Sequence, residues 1–213
     1  MYEKCVKRTL DFFIALMAIV ALFPLLLILA IVGFFKMKGN PFFVQKRPGK
    51  DEKIFCLIKF RTMTNEKDDD GNLLPDDVRL NGYGKFLRST SLDELPELFN
   101  ILNGTMAIIG PRPLLVKYLG RYNEEQHHRH DVRPGLTGYA QAHGRNSVSW
   151  EEKFAMDVWY TKHVTFKNDL KIFIDTVKTV VHREGISSDT SVTMEEFMGT
   201  PEGVTPMWKE PKL

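Results

Sequence analysis

The sequence predicts an α+β fold: a mainly helical domain with a few short strands, preceded by an N-terminal re-entrant membrane helix bent at Pro24. Three observations predict it. No residue from Phe12 to Phe35 is charged. Downstream, apolar residues recur at helical spacing in several stretches, most clearly Leu95, Leu98, Phe99 and Leu102. Between these lie short runs rich in aromatic and β-branched residues, which favour strands. The 213 residues suffice for one domain with an appendage. The expected boundaries are 1–38 for the membrane helix and its flanks, 39–186 for the domain, and 187–213 for an irregular tail.

The net charge of +2 makes no case for nucleic acid as a partner. Cys5 and Cys56 form neither a disulfide framework nor a metal spacing. They fit a reduced, cytosol-facing protein.

A helix over Phe12–Phe35 is about 36 Å long, enough to cross a hydrocarbon core of about 30 Å. The flanks give no orientation: Lys4, Lys7 and Arg8 precede the run, and Lys36, Lys38, Lys46 and Arg47 follow it. Pro24 sits at its midpoint and removes a helix hydrogen bond. Cations at both ends and a central proline favour entry and exit through one leaflet over a straight span.

Pro41–Gly49 reads as a strand running into a turn, and Lys53–Met63 as a second strand. At period two, Lys59 and Arg61 point the same way, which suits either a phosphate-rich ligand or a solvated face. Glu66–Asp77 is an acidic stretch that falls close to a calcium-loop spacing, but its first and last ligands are interchanged and a strand precedes it. A solvated loop is the better reading. Arg79–Arg88 is a short basic helix.

Ser91-Leu92-Asp93-Glu94-Leu95-Pro96 follows. A proline is tolerated in a helix's first turn, so a helix starts near Pro96 with Asp93 and Glu94 at its positive end. Ser91 and Glu94 also match a capping box. On these residues alone, capping and chemistry both stay open. Gly104 closes the helix, and Met106–Ile109 is a buried strand. It runs into Gly110-Pro111-Arg112-Pro113, whose prolines hold the backbone extended and aim Arg112.

His127, His128 and His130 lie in Glu124–Asp131 without metal-ligand spacing, as on a solvated helix end. Val132–Gln141, with Gly144, Arg145 and Asn146, reads as a glycine-rich polar loop. Trp150–His163 and Asn168–Arg183 read as helices. In the second, Leu170, Phe173, Ile174, Val177 and Val181 form one stripe, which suits core packing or a membrane surface.

Four motifs in this order behind an apolar segment carry a resemblance: Lys59-Phe60-Arg61-Thr62-Met63, Ser91–Pro96, Gly110–Pro113 and Val132–Gly138. Over about residues 1–200 the chain resembles the bacterial sugar transferases, and more narrowly the small monotopic phosphoglycosyl transferases of the PglC type. The resemblance implies transfer of a sugar 1-phosphate from a UDP-sugar to undecaprenyl phosphate, giving the undecaprenyl-diphosphate sugar and UMP. It implies Mg²⁺, held in part by Asp93, and a covalent phospho-sugar on Asp93 as nucleophile, with Glu94 as its partner. The expected substrate- and phosphate-binding residues are Lys59, Arg61, Arg79, Arg88, Arg112, Gln141, Arg145 and Asn146. The implied location is the cytoplasmic face of the bacterial inner membrane, with membrane lipids and other glycan-pathway enzymes as partners. Phe23 stands where the family usually has Ser before the proline, and Tyr139 where Trp is common. A membrane-anchored binding or scaffold protein for UDP-sugars or lipid phosphates, without turnover, is the alternative from another class.

Overall fold

A computed structural model describes residues 2–144, 148–181, 196–201 and 203–211. The chain opens with one π-helical turn, Tyr2–Val6, and continues as α1, Lys7–Lys36. By length and composition α1 could cross a membrane. The helix continues unbroken through Pro24.

α1 lies along the domain at both of its ends. Near its start, Lys7 Nζ meets Asp169 Oδ2 at 2.6 Å, the Arg8 guanidinium donates to the Ile101 and Leu102 carbonyls, and Asp11 Oδ1 accepts from the Ile108 amide. Ala15, fully buried, packs with Phe55, Leu57, Leu98, Ile101 and Met106. Further along, Leu26 and Leu29 pack with Phe60 and Leu87. At the far end, Tyr83 donates to the Leu29 carbonyl and Asn81 to that of Lys36. The opposite face, including Phe13, Met17, Val20, Phe23, Ile28, Ile31 and Phe35, is exposed.

Two small sheets follow. β1 (Phe42–Pro48) and β2 (Ile54–Phe60) form an antiparallel hairpin in the register Phe42↔Phe60 to Pro48↔Ile54. β2 ends at Phe60, so the strand alternation stops before Arg61. The acidic loop contains an isolated bridge, Lys67↔Leu73, and Asp68 accepts there from the amides of Asp70 and Asn72. α2 (Asp76–Arg79) and α3 (Gly82–Thr90) lead to α4 (Glu97–Asn103). β3 (Ala107–Ile109) pairs in parallel with β4 (Gly135–Thr137).

The region read as a glycine-rich loop therefore contains β4 and α6 (Tyr139–His143). The glycines are there for close approach. A Cβ on Gly135 would stand 2.1 Å from the Gly110 amide nitrogen, and one on Gly138 2.1 Å from the Gly110 carbonyl oxygen. The histidine stretch forms α5 (Glu124–His127) and a three-ten turn, and its rings part: His127 bonds Glu52, His128 bonds Asp131, and His130 donates from Nδ1 to the Gly49 carbonyl.

α7 (Trp150–Lys162) is buried at Phe154, Met156, Val158, Trp159 and Tyr160. Among the described side chains of α8 (Phe166–Val181), Ile172 and Asp169 are the fully buried ones. Of its stripe, Leu170, Phe173, Ile174 and Val177 are exposed rather than core, with Lys167, Lys171 and Lys178 exposed as well, and the Val181 side chain lies outside the described residues. Past residue 195 the described residues carry no helix or strand but are anchored. Glu196 pairs with Lys117 and Arg121, Phe197 is buried among Tyr118, Tyr122 and Phe154, and the Trp208 ring packs near Tyr139 and Trp159.

Asp169 ties α1 to this part of the core. It accepts from Lys7, Tyr2 and Tyr160. Asp169→Ala would strand a buried ammonium and two hydroxyls, so it should destabilise the fold by about 3–5 kcal/mol, read from denaturant unfolding in detergent.

Candidate functional site

α3 closes at Ser91, which takes a left-handed conformation (φ 56°, ψ 18°) and turns the chain back. A three-ten turn, Leu92–Glu94, follows, and Pro96 enters α4 with helical angles. The helix begins at Glu97 just beyond Pro96, as the sequence predicts. The capping box does not form: the Ser91 side chain makes no capping bond, and Glu94 is drawn elsewhere. Leu92 and Leu95 pack into the cluster of Leu26, Leu29, Phe60 and Leu87. The two carboxylates are thus carried on a turn that rests against α1.

Phe55, Leu57 and Lys59 alternate onto one face of β2, and the first two are buried toward α4. Lys59 follows them inward. Its Nζ stands 2.7 Å from Glu94 Oε1 and 3.0 Å from Glu97 Oε1. Arg112 Nη2 reaches the same Glu94 oxygen at 2.5 Å. Burial by itself would raise the Glu94 carboxyl, but the charges of Arg112 and Lys59 and their hydrogen bonds outweigh it and hold it down to about 2. Glu94 is therefore a fixed anion at neutral pH and a poor proton acceptor.

Asp93 differs. No side chain hydrogen-bonds to it among the described residues. Burial, reinforced by the Glu94 charge, raises its carboxyl against the pull of Lys59 and Arg112. A carboxylate that is less clamped and more basic than its neighbour is the better nucleophile of the pair.

Two interactions absent from the sequence reading hold this geometry. Asn100, almost fully buried in α4, accepts from the Ile58 amide at 3.0 Å and donates to the Cys56 carbonyl at 2.8 Å. It meets the β2 backbone as a neighbouring strand would, fixing Lys59 beneath the turn. Arg129 pairs with Asp157 in the interior at 2.7 Å and donates to the Arg112 carbonyl at 2.7 Å. It fixes the backbone from which Arg112 projects. Glu97 is the third residue the sequence reading passed over. Its only signal was its place one helical turn after Asp93.

The other expected binding residues fall into separate places. Arg61, Arg79 and Arg88 gather around Thr62–Thr64. Arg88 Nε donates to Thr62 Oγ1 and Arg79 Nη1 to the Thr64 carbonyl, while Arg61 turns to the Phe42 carbonyl. Lys59 and Arg61 thus part, since the strand ends between them. Nε of Arg61 and of Arg79 is buried without a partner, and so are both amide atoms of Gln141 on α6. Arg145 and Asn146 lie outside the described residues. Among the described residues no three His, Cys, Asp or Glu side chains are grouped to hold a metal. Asp93 is the carboxylate of the turn that no cation clamps.

A family model described as bacterial sugar transferase matches residues 2–183. The chain is 47% identical over 194 residues to an uncharacterized sugar transferase, EpsL, of Bacillus subtilis, covering 91% of this chain and 96% of that one. It is 34% identical to an undecaprenyl-phosphate galactose phosphotransferase of Salmonella typhimurium, over 86% of this chain and 42% of that protein. It is 37% identical to a UDP-glucose:undecaprenyl-phosphate glucose-1-phosphate transferase of Klebsiella pneumoniae, over 80% of this chain and 39% of that protein. The chain thus spans nearly all of the Bacillus relative and about two-fifths of the other two.

Asn100→Ala leaves a strand amide and a carbonyl without partners in a dry interface. It should cost about 1–3 kcal/mol for each group, measured by denaturant unfolding.

Proposed function

The chain belongs to the bacterial sugar transferase family, and from that premise we propose that it transfers a sugar 1-phosphate from a UDP-sugar to undecaprenyl phosphate through a covalent phospho-sugar on Asp93. The observation that carries this reading is the contrast within one turn: Glu94 locked by two cations, Asp93 beside it unclamped and basic.

In the first step an Asp93 oxygen attacks the phosphorus that bears the sugar. A carboxylate-oxygen-to-phosphorus bond forms, the bond to the bridging oxygen breaks, and UMP departs with that electron pair. In the second step a lipid phosphate oxygen attacks the same phosphorus, and the Asp93 carboxylate leaves unchanged. Lys59 and Arg112, anchored by Glu94, hold positive charge where phosphoryl charge builds. Glu94 positions those cations and takes no proton. Arg61, Arg79 and Arg88 form a second basic group on the approach from α3, the side on which the nucleotide phosphates would lie. Gln141, Arg145 and Asn146 complete the proposed substrate contacts.

Mg²⁺ is also part of this proposal. It is commonly bound through one or two carboxylates plus substrate phosphates rather than by an all-protein cage. Asp93, which no side chain clamps among the described residues, fits that habit as a single carboxylate. When bound, the ion would supply charge neutralisation on the diphosphate.

The reading also places the chain on the cytoplasmic face of the inner membrane, with α1 entering and leaving one leaflet and bending at Pro24. What supports this is packing. Lys7, Arg8 and Asp11 at one end of α1 and Leu29 and Lys36 at the other all touch the same domain. A helix that crossed straight through would carry those ends to opposite sides of the bilayer. The exposed apolar and lysine-bearing surface of α8 would lie at the headgroups. Tyr2 and Phe166, with ring centroids 6.1 Å apart, set it beside the start of α1. Enzymes that extend the lipid-linked sugar are the expected functional neighbours.

Asp93→Asn should fold with unchanged melting behaviour yet release no UMP from UDP-sugar and lipid phosphate and form no phospho-sugar adduct by mass spectrometry. Turnover by that variant would remove Asp93 as nucleophile. Single cysteines at Lys4 and Lys38, in a background lacking Cys5 and Cys56, should both react with an impermeant maleimide in inverted vesicles. In right-side-out vesicles both should stay unmodified, and labelling of one from each side would establish a straight span.

A further inference from the structure

Glu97 opens α4 one turn beyond Asp93, and its side chain is 3% exposed. A carboxylate so buried needs a partner, and its partner is Lys59. That single ammonium bridges Glu97 Oε1 at 3.0 Å and Glu94 Oε1 at 2.7 Å, while Arg112 holds Glu94 alone. The groups that face Glu97 are Lys59 from β2, Glu94 from the preceding turn, Arg112 from the segment after β3, and Arg47 from β1. Nothing in the transfer reaction as described requires a carboxylate at this position.

We infer that Glu97 is a positioning residue for the reacting pair: by sharing Lys59 with Glu94 it sets how much of that cation's charge reaches Glu94 and Asp93. The inference rests on the proposed reading of Asp93 and Glu94. Burial, with the repulsion of Glu94 and against the attraction of Lys59, pushes the Glu97 carboxyl up to about 7. Its charge therefore changes near neutral pH. With Glu97 ionised, Lys59 is divided between two anions. With Glu97 protonated, the cation serves Glu94 alone, and Asp93 beside it feels a more positive neighbourhood.

Glu97→Gln keeps the shape and the acceptor while removing the charge. UMP release and adduct formation should be measured from about pH 5 to about pH 9 for wild type and variant. The lipid phosphate and UMP titrate in the same span but do so equally for both proteins, so the difference profile is the readout. Wild type should carry a step near pH 7 that Glu97→Gln lacks. In a Lys59→Met background the same substitution should have a clearly smaller effect on the profile, because the cation shared by Glu97 and Glu94 is gone. Melting temperature gives an independent check. A carboxyl raised from its ordinary 4.5 to about 7 binds its proton more tightly in the folded state. Wild type should therefore lose stability as pH rises from about 5 to about 8, and Glu97→Gln should lack that fall. Coincident rate profiles, an undiminished effect without Lys59, or parallel melting curves would each overturn the inference. Failure of wild type to release UMP at all would instead remove the reading of the site on which it rests.

Discussion

One carboxylate oxygen joins the two halves of this domain. Glu94 Oε1 accepts from Lys59 of the antiparallel hairpin and from Arg112, which leaves the parallel pair. The cations approach from separate sheets, and each is braced from behind. Asn100 stitches α4 to the β2 backbone, and the Arg129–Asp157 pair holds the Arg112 carbonyl. Glu94 and Lys59 are half-buried and Arg112 is exposed, so it is the fixed geometry of the three that makes the pairing firm. Here the fixing residues lie in regular elements, so the turn bearing Asp93 is oriented by the core rather than by a loop.

Much of the fold could be read from local pattern, and the failures have physical causes. α1, β1, β2, α7 and α8 announce themselves by period or by an uncharged run, because those signals need only neighbours in sequence. β4 and α6 hid behind Gly135 and Gly138, which look like loop formers. They are small because the Gly110 backbone presses against them. The α8 stripe had a helical period without a hint of which medium covers it, and the apolar face points outward while Ile172 goes in. At the site, Asp93, Glu94 and Arg112 stood out through their proline-flanked contexts. Glu97 and Arg129 did not. Their importance lies in partners far along the chain, Lys59 for the one and Asp157 for the other, and no local pattern encodes such a pairing.

The packing of α1 constrains the membrane as much as the domain. Its buried residues, Ala15, Leu26, Leu29 and Gly33 among them, repeat along one side, and its exposed apolar residues fill the rest. A helix with that division packs a narrow side on the domain and leaves a wider apolar side that, on the proposed reading, would meet lipid. The Asp93–Glu94 turn leans on its second half through Leu92 and Leu95. On the proposed reading α1 lies in the bilayer, and side-chain packing of the turn against it would set the height of the carboxylate relative to the headgroups.

Charge balance draws these strands together. The turn and the first residue of α4 bring together three carboxylates, Asp93, Glu94 and Glu97, with Lys59 and Arg112 paired to them and Arg47 of β1 also facing Glu97. With all three ionised, Lys59 is shared between Glu94 and Glu97, and Asp93 has no ion-pair partner among the described residues. A proton on Glu97 near neutral pH lowers the demand on Lys59. On the proposed reading an incoming diphosphate would add more negative charge than Lys59 and Arg112 can offset while they are held by Glu94. Further positive charge would then be required, and the proposed source is the cluster of Arg61, Arg79 and Arg88 around Thr62–Thr64. A proposed divalent ion beside Asp93 answers the same demand. On the proposed reading, an anionic donor could enter this site only by bringing or meeting cations, which would favour a nucleotide diphosphate over neutral sugars.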